Sequence, residues 1–481
     1  ATAWPVGTLL ASSWDTTLVK RVGAAFGNEI KEYGVDVILA PGMNIQRDPL
    51  NGRNFEYYSE DPLVTGYIGA AMVNGIQSNG VGTSVKHFAA NNQETNRNTI
   101  NAIVSERALR EIYLKGFEIA VKKAQPWTIM SSYNKINGTY TSESHDLLTT
   151  ILRDEWGFKG YVMTDWYGGK DRVAQIKAGN DLIEPGSSSQ SQAIVDAVKN
   201  GTLDLKVLDQ NVERILRVIT QSPSYKNYNY SDKPDLKAHA NLAREAASES
   251  MVLLKNESNV LPLEKGKSIA VYGVASYNTY IGGTGSGEVS TTYSVSVAEG
   301  LKNADYKLSA DLRTVYSGYI EKDKADHPKK TKVTLGAPRM VPEMEVSREI
   351  IEKNAAETDF AVFTIGRNAG EGADRKVNGD FNLTETEQTL LKNVADAFHA
   401  KGKKLIVVIN AGGVIETASW KNNADAILLT WQAGMEAGNA IADVVSGTVN
   451  PSGKLATTFP AKYEDVPSSK NFPGTPVDRP K

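Results

Sequence analysis

Across residues 1–220, short apolar runs alternate with longer amphipathic stretches, and few folds accommodate that rhythm. The runs are VDVILAPG (35–42), GTSVKHFAAN (82–91), WTIMSSYN (127–134), GYVMTDW (160–166) and DLIEPG (181–186). Between them lie LVKRVGAAFGNEIKEYG (18–34) and ERALREIYLKGFEIAVKKA (106–124). In the second stretch Leu109, Ile112, Tyr113, Phe117 and Ile119 recur at helical spacing. Repeated strand–helix units predict a parallel sheet, and near-continuous apolar strands predict burial on both faces. Three of these strands end in polar residues: Lys86 and His87, Tyr133 and Asn134, Asp165 and Trp166. That end of a parallel barrel or open sheet carries its chemistry. No switch of strand order is visible, so a TIM-like (β/α) barrel is expected over 1–220.

Residues 221–240, QSPSYKNYNYSDKPDLKAHA, are polar, hold two prolines and read as a linker. A second α/β half follows over 241–481. Its strands are KSIAVYGV (267–274), DFAVFTIG (359–366), KLIVVINAG (404–412) and AILLTWQAG (426–434), with ETEQTLLKNVADAFHAKG (385–402) as a helix. This half reads as a helix-covered sheet. The charged segment YIEKDKADHPKKTKV (319–333) is expected to be a surface excursion.

Composition excludes several functions. The net charge is −3 with no basic run, which argues against a nucleic-acid partner. Cysteine is absent, so disulfides, thiolate metal sites and cysteine nucleophiles are excluded. No stretch is long and apolar enough to span a bilayer. The start, ATAWPVGTLLASSWD, lacks the basic opening of a signal peptide. A soluble protein is expected, with cytoplasm, periplasm and secretion all open and a homodimer left open. The five histidines are scattered, and neither H-E-x-x-H nor an EF-hand loop occurs. No metal or cofactor is expected, although a site built from carboxylates alone stays open.

Asp165 closes a buried-looking strand. Taken alone, an Asp there most simply caps the next helix. A nucleophile needs more: cations to keep it ionised, an acid partner and a surface for substrate. Arg53, Lys86, His87 and Arg97 supply cations that lower a carboxylate's pKa and hold hydroxyl groups, or else pair with surface carboxylates. Trp166, Tyr133 and Met130 are candidates for the floor under a sugar ring, against ordinary core packing. Glu371 lies in NAGEGADRKVNGDFNL (368–383), either a plain connector or an arm reaching a site. The segment IGGTGSGEVS (281–290) is a weak phosphate cradle, because its glycines run G-G-x-G-x-G rather than G-x-G-x-x-G.

Taken in order, GRNFEYYSEDP (52–62), KHFAANNQETNR (86–97), MSSYNKING (130–138) and GYVMTDW resemble the β-glucosidase branch of glycoside hydrolase family 3. The resemblance continues through AGNDLIEPG (178–186), VLLKNESNVLPL (252–263), GGTGSG, GEGADRK and NPSGKLATTFP (450–460), over nearly the whole chain. It implies a TIM-like barrel followed by an α/β sandwich domain carrying the acid/base loop, with no cofactor. It also implies a retaining exo-β-glucosidase acting on β-glucosides or oligosaccharides, with β-xylosides or broader specificity as the alternative. By resemblance Asp165 is the nucleophile and Glu371 the acid/base. Arg53, Lys86, His87, Arg97, Met130, Tyr133, Trp166 and Ser286 are then substrate-binding. Retention needs the two carboxyl groups about 5–5.5 Å apart. The resemblance further implies one more strand–helix unit ahead of ATAWP, carrying an Asp that binds sugar, and a further segment after PVDRPK. The expectation is therefore a barrel without its first unit and an incomplete sugar site, at the limit a fragment that only binds sugar.

Overall fold

The computed structural model describes residues 1–328 and 333–475. They pack as two compact units. One comprises Asp15–Gln46, Tyr57–Asp235 and the segment from Pro473; the other comprises Ala1–Trp14, Arg47–Glu56 and Leu236–Phe472. This packing differs from a single cut into 1–220, 221–240 and 241–481. Two early segments join the later half because their apolar and backbone groups are satisfied there. Leu9 and Leu50 are buried in its core. The Val6 N–H donates to Gln432 O at 3.1 Å, and the Met435 N–H to Ala3 O at 2.9 Å.

The first unit is a TIM-like barrel. Strands β1 (Val37–Ile38), β2 (Gly82–Phe88), β3 (Thr128–Ser131) and β4 (Tyr161–Thr164) pair in parallel in that order. DLIEPG forms only a parallel bridge from Leu182 to Met163. Every residue of β2 is buried, as a strand covered on both faces requires. Helix Thr16–Glu32 starts at Asp15, whose carboxylate accepts from the N–H groups of Thr17 and Leu18. It packs closely on helix Pro62–Gln77 at Gly75, where a Cβ would fall 2.3 Å from Lys20 O. The expected helix 106–124 is interrupted. Between Glu106–Ala108 and Lys115–Ala124 lies a wide π-type turn, Leu109–Tyr113, in which Leu114 N–H reaches back to Leu109 O. The extra residue rotates the apolar face, so Phe117 and Ile119 are buried while Ile112 is exposed.

The second unit is the α/β sandwich. Its strands are β5 (Val252–Asn256), β6 (Ser268–Tyr272), β7 (Lys307–Leu308), β8 (Phe360–Arg367), β9 (Lys404–Ala411) and β10 (Ala426–Leu429). They form one sheet in the order β7-β6-β8-β9-β10-β5, parallel except for edge strand β5. Residues 405–409 of β9 are fully buried. Helix Glu385–His399 opens with a capping box between Thr384 and Glu387. The first parallel strand, β6, has β7 on one side and β8 on the other, so the strand order reverses there. In such sheets ligands meet the carboxyl ends of the strands at the reversal. The loops leaving β6 and β8 carry Ser286 and Glu371.

The charged segment 319–333 is not a plain excursion: residues 319–326 finish helix Ala310–Asp326, with Ile320 buried, because apolar residues spaced along it face the core. Residues 329–332 of that segment lie outside the described residues. No helix among the described residues is long and apolar enough to cross a membrane.

Candidate active site

The helix-cap reading of Asp165 does not hold. The next helix, Arg172–Ala178, is capped by Asp171, whose carboxylate takes the N–H groups of Val173 and Ala174. Asp165 stands instead at the carboxyl end of β4, 7% exposed. Its backbone is fixed by bonds from its own N–H to Ser131 O and from Gly168 N–H to its carbonyl. Its Oδ1 accepts from the Trp166 N–H at 2.7 Å. Its Oδ2 faces His87 Nε2 at 3.7 Å.

His87 is held from behind. The Asn44 side-chain amide pairs with both backbone groups of His87: Oδ1 accepts from its N–H at 2.8 Å, and Nδ2 donates to its carbonyl at 2.9 Å. This double pairing fixes which way the amide points. Asn44 Oδ1 is therefore the atom 3.2 Å from His87 Nδ1, and the Tyr57 hydroxyl lies 3.1 Å from the same nitrogen. An amide oxygen only accepts, so Nδ1 carries a proton and Nε2 is the nitrogen turned to Asp165. Asn91 in turn donates to the Tyr57 hydroxyl.

In the same unit the Arg97 guanidinium lies over the Tyr133 ring, 4.6 Å from its centroid, and donates to Glu94 at 2.7 Å. Lys86 is buried near the end of β2. Trp166 is 39% exposed, enough to present a ring face, whereas Met130 is 2% exposed within β3, in register with Met163.

In the other unit Glu371 is 7% exposed. Its Oε2 accepts from the Ser286 N–H at 2.9 Å and from the Ser286 hydroxyl at 2.6 Å. Its Oε1 faces Arg53 Nη1 at 3.6 Å. Arg53 was expected beside Asp165 among the barrel cations; it packs in this unit, with Nε on Glu56 at 2.5 Å. The 368–383 loop is neither a plain connector nor loose. Arg375 anchors it: its guanidinium donates twice to Asp380 Oδ1 and once each to Pro49 O and Val414 O. Phe381 is fully buried. At the root of the loop Arg367 makes a two-pronged pair with Glu387, at 2.6 and 2.7 Å. Burial alone would lower Arg367, but the Glu387 carboxylate outweighs it and holds the guanidinium above its ordinary pKa.

Residues 1–218 match the model of the glycosyl hydrolase family 3 N terminal domain, and residues 251–479 that of the family's C-terminal domain. β-Glucosidase 3B from Thermotoga neapolitana, solved with glucose, shares the fold with a TM-score of 0.94 at 50% identity, over 100% of this chain and 68% of that one. The chain belongs to glycosyl hydrolase family 3. Thermostable beta-glucosidase B of Acetivibrio thermocellus is 42% identical over 480 residues, 98% of this chain. An exo-α-(1→6)-L-arabinopyranosidase of Bifidobacterium breve is 40% identical over 98% of the chain. This family 3 chain spans 60% of the length of each of these two relatives.

Reading this family 3 sequence by its motifs misses the groups behind the candidate residues. Asn44 and Glu94 each serve a candidate side chain. Glu94 lies inside KHFAANNQETNR, three residues before its partner Arg97, and that spacing was a usable signal. Asn44 has no local signal, because its partner His87 is 43 residues away.

Proposed function

We propose that this chain acts as a retaining exo-β-glucosidase that removes terminal β-D-glucosyl residues. The observation that carries the reading is Asp165 at a barrel strand end, with His87 turned to it by Asn44 and Tyr57. Asp165 attacks the anomeric carbon while Glu371 gives a proton to the departing glycosidic oxygen, so the C–O bond breaks with its electron pair on the aglycone. Glu371 then takes a proton from water; the water oxygen attacks the anomeric carbon and frees Asp165. Lys86, His87, Arg97, Tyr133 and Trp166 take the sugar's hydroxyls and ring face, and Met130 fills behind Tyr133. Arg53 and Ser286 belong to the Glu371 side of the chemistry.

The relatives' names include a β-glucosidase and an α-L-arabinopyranosidase. Both glycosides can present an equatorial anomeric bond, so aryl β-D-glucoside, β-D-xyloside and α-L-arabinopyranoside form the panel that sets glycone preference. The test of the mechanism is a 2-fluoro-β-glucoside. It should label the peptide containing Asp165 in a stoichiometric burst. Sugar binding without that label means a binding protein rather than a hydrolase.

A further inference from the structure

The glycine-rich segment 281–290 cradles a carboxylate, not a phosphate. One residue, Ser286, puts both its N–H and its O–H on the same oxygen of Glu371, at 2.9 and 2.6 Å. The close approach depends on glycines. Gly285 adopts φ +108°, and a Cβ there would lie 2.4 Å from Glu371 Cβ. A Cβ on Gly370 would lie 1.9 Å from Thr284 Oγ1. The backbones of the two loops also cross-link: Glu371 N–H donates to Thr284 O at 3.1 Å, and Thr284 N–H to Ala369 O at 3.0 Å.

A carboxylate oxygen offers two in-plane acceptor positions. Ser286 fills both on Oε2, so a proton added to Glu371 goes to Oε1. The Arg53 guanidinium faces that oxygen at 3.6 Å, beyond hydrogen-bond length, as an opposing charge when the proton leaves. We propose that Ser286 is a positioning residue that holds Oε2 of Glu371 as a fixed acceptor and dedicates Oε1 to proton transfer. The proposal rests on the acid/base reading of Glu371 and replaces sugar contact as the role of Ser286. In the first step the Oε1 proton passes to the glycosidic oxygen, and the negative charge left behind is shared with Oε2 under the two Ser286 donors. In the second step Oε1 takes a proton from the attacking water. The same two donors stay in place through both.

Ser286→Ala removes one of two donors to the ionised form, so the acid becomes weaker. The alkaline limb of the kcat/KM profile should move up by about one pH unit. Ser286→Thr, which keeps the hydroxyl, should restore the wild-type limb. KM for an activated aryl glucoside should change less than about threefold, since no sugar contact is lost. An unmoved limb in Ser286→Ala overturns the proposal, and a raised KM with an unmoved limb returns Ser286 to a sugar-binding role. Glu371→Ala is the control for the underlying reading. If it slows good and poor leaving groups equally, the acid/base assignment itself fails. If it discriminates between them while the Ser286→Ala limb stays fixed, only the Ser286 proposal falls.

Discussion

Asp165 and Glu371 are held by different kinds of structure. Asp165 sits on the end of a parallel strand whose neighbours are buried, and its support, His87, is locked by an amide pairing with the backbone. Glu371 sits on a loop fixed by another loop, with the sheet contributing only the root at Arg367. The contrast fits the chemistry proposed for each. A nucleophile keeps one protonation state and one line of attack, which a strand end supplies. An acid/base group changes protonation state twice per turnover, and loop-borne donors can hold one oxygen while leaving the other to exchange.

The largest expected effect falls on the strand-held side. Asp165→Asn should reduce turnover by about 10⁴-fold or more on every glycoside, with the fold unchanged by circular dichroism. A loss of tenfold or less would remove Asp165 from the chemistry. Next comes Glu371→Ala, expected to slow poor leaving groups by about 10²–10⁴-fold, with activated phenyl glycosides much less affected and rescued by azide. If the loop-held group is as indispensable to activated substrates as Asp165 is, the contrast collapses.

Arg375→Ala should destabilise by about 3–5 kcal/mol, because the buried Asp380 carboxylate and two carbonyls lose their donor. Chemical denaturation measures this. A loss below 1 kcal/mol would show that the Glu371 loop does not depend on its anchor. Tyr57→Phe sharpens the other side: removing one hydroxyl beside His87 Nδ1 should lower kcat/KM about three- to tenfold with KM little changed.

The smallest effect concerns the strap 333–347, whose Gly336 N–H bonds Glu371 O. Its Glu343 accepts from the N–H groups of Val274 and Met344, and burial pushes its carboxyl up to about 7 against the pull of those donors. The folded state thus holds this proton more tightly than the unfolded chain, with its ordinary value of 4.5. Its contribution to stability is full below about 4.5 and is lost as pH rises to about 7. Glu343→Gln should flatten that decline, so thermal melts of the variant and wild type should diverge in the variant's favour between pH 5 and pH 8. Parallel curves would contradict it.

The barrel and the sandwich were legible because buried parallel strands write long apolar runs, as in β8 and β9. Edge elements were not. Strand β5 is half-buried and pairs only with β10, so VLLKN carries no comparable signal. The π-type turn at Leu109–Tyr113 was hidden because its residues still follow a helical pattern locally. Glu371 and Ser286 were found through motif resemblance, but their mutual grip spans 85 residues and leaves no trace in local spacing. The same holds for Arg53, whose position follows from Gly52: a Cβ there would fall 1.9 Å from Ala373 O.

The unit that carries Glu371 is assembled from three separate stretches of chain, the first ending at Trp14 and the last beginning at Leu236. Leu9 and Leu50 therefore leave the ribosome more than 180 residues before most of the core that buries them. During synthesis these early segments have no native partner, while the strands and helices between them can already pair with one another. The barrel strands close locally, and the sandwich closes last, around a piece of chain made first. A protease cut in the 221–235 stretch would for the same reason leave the sandwich's two chain fragments bound to each other rather than releasing it whole.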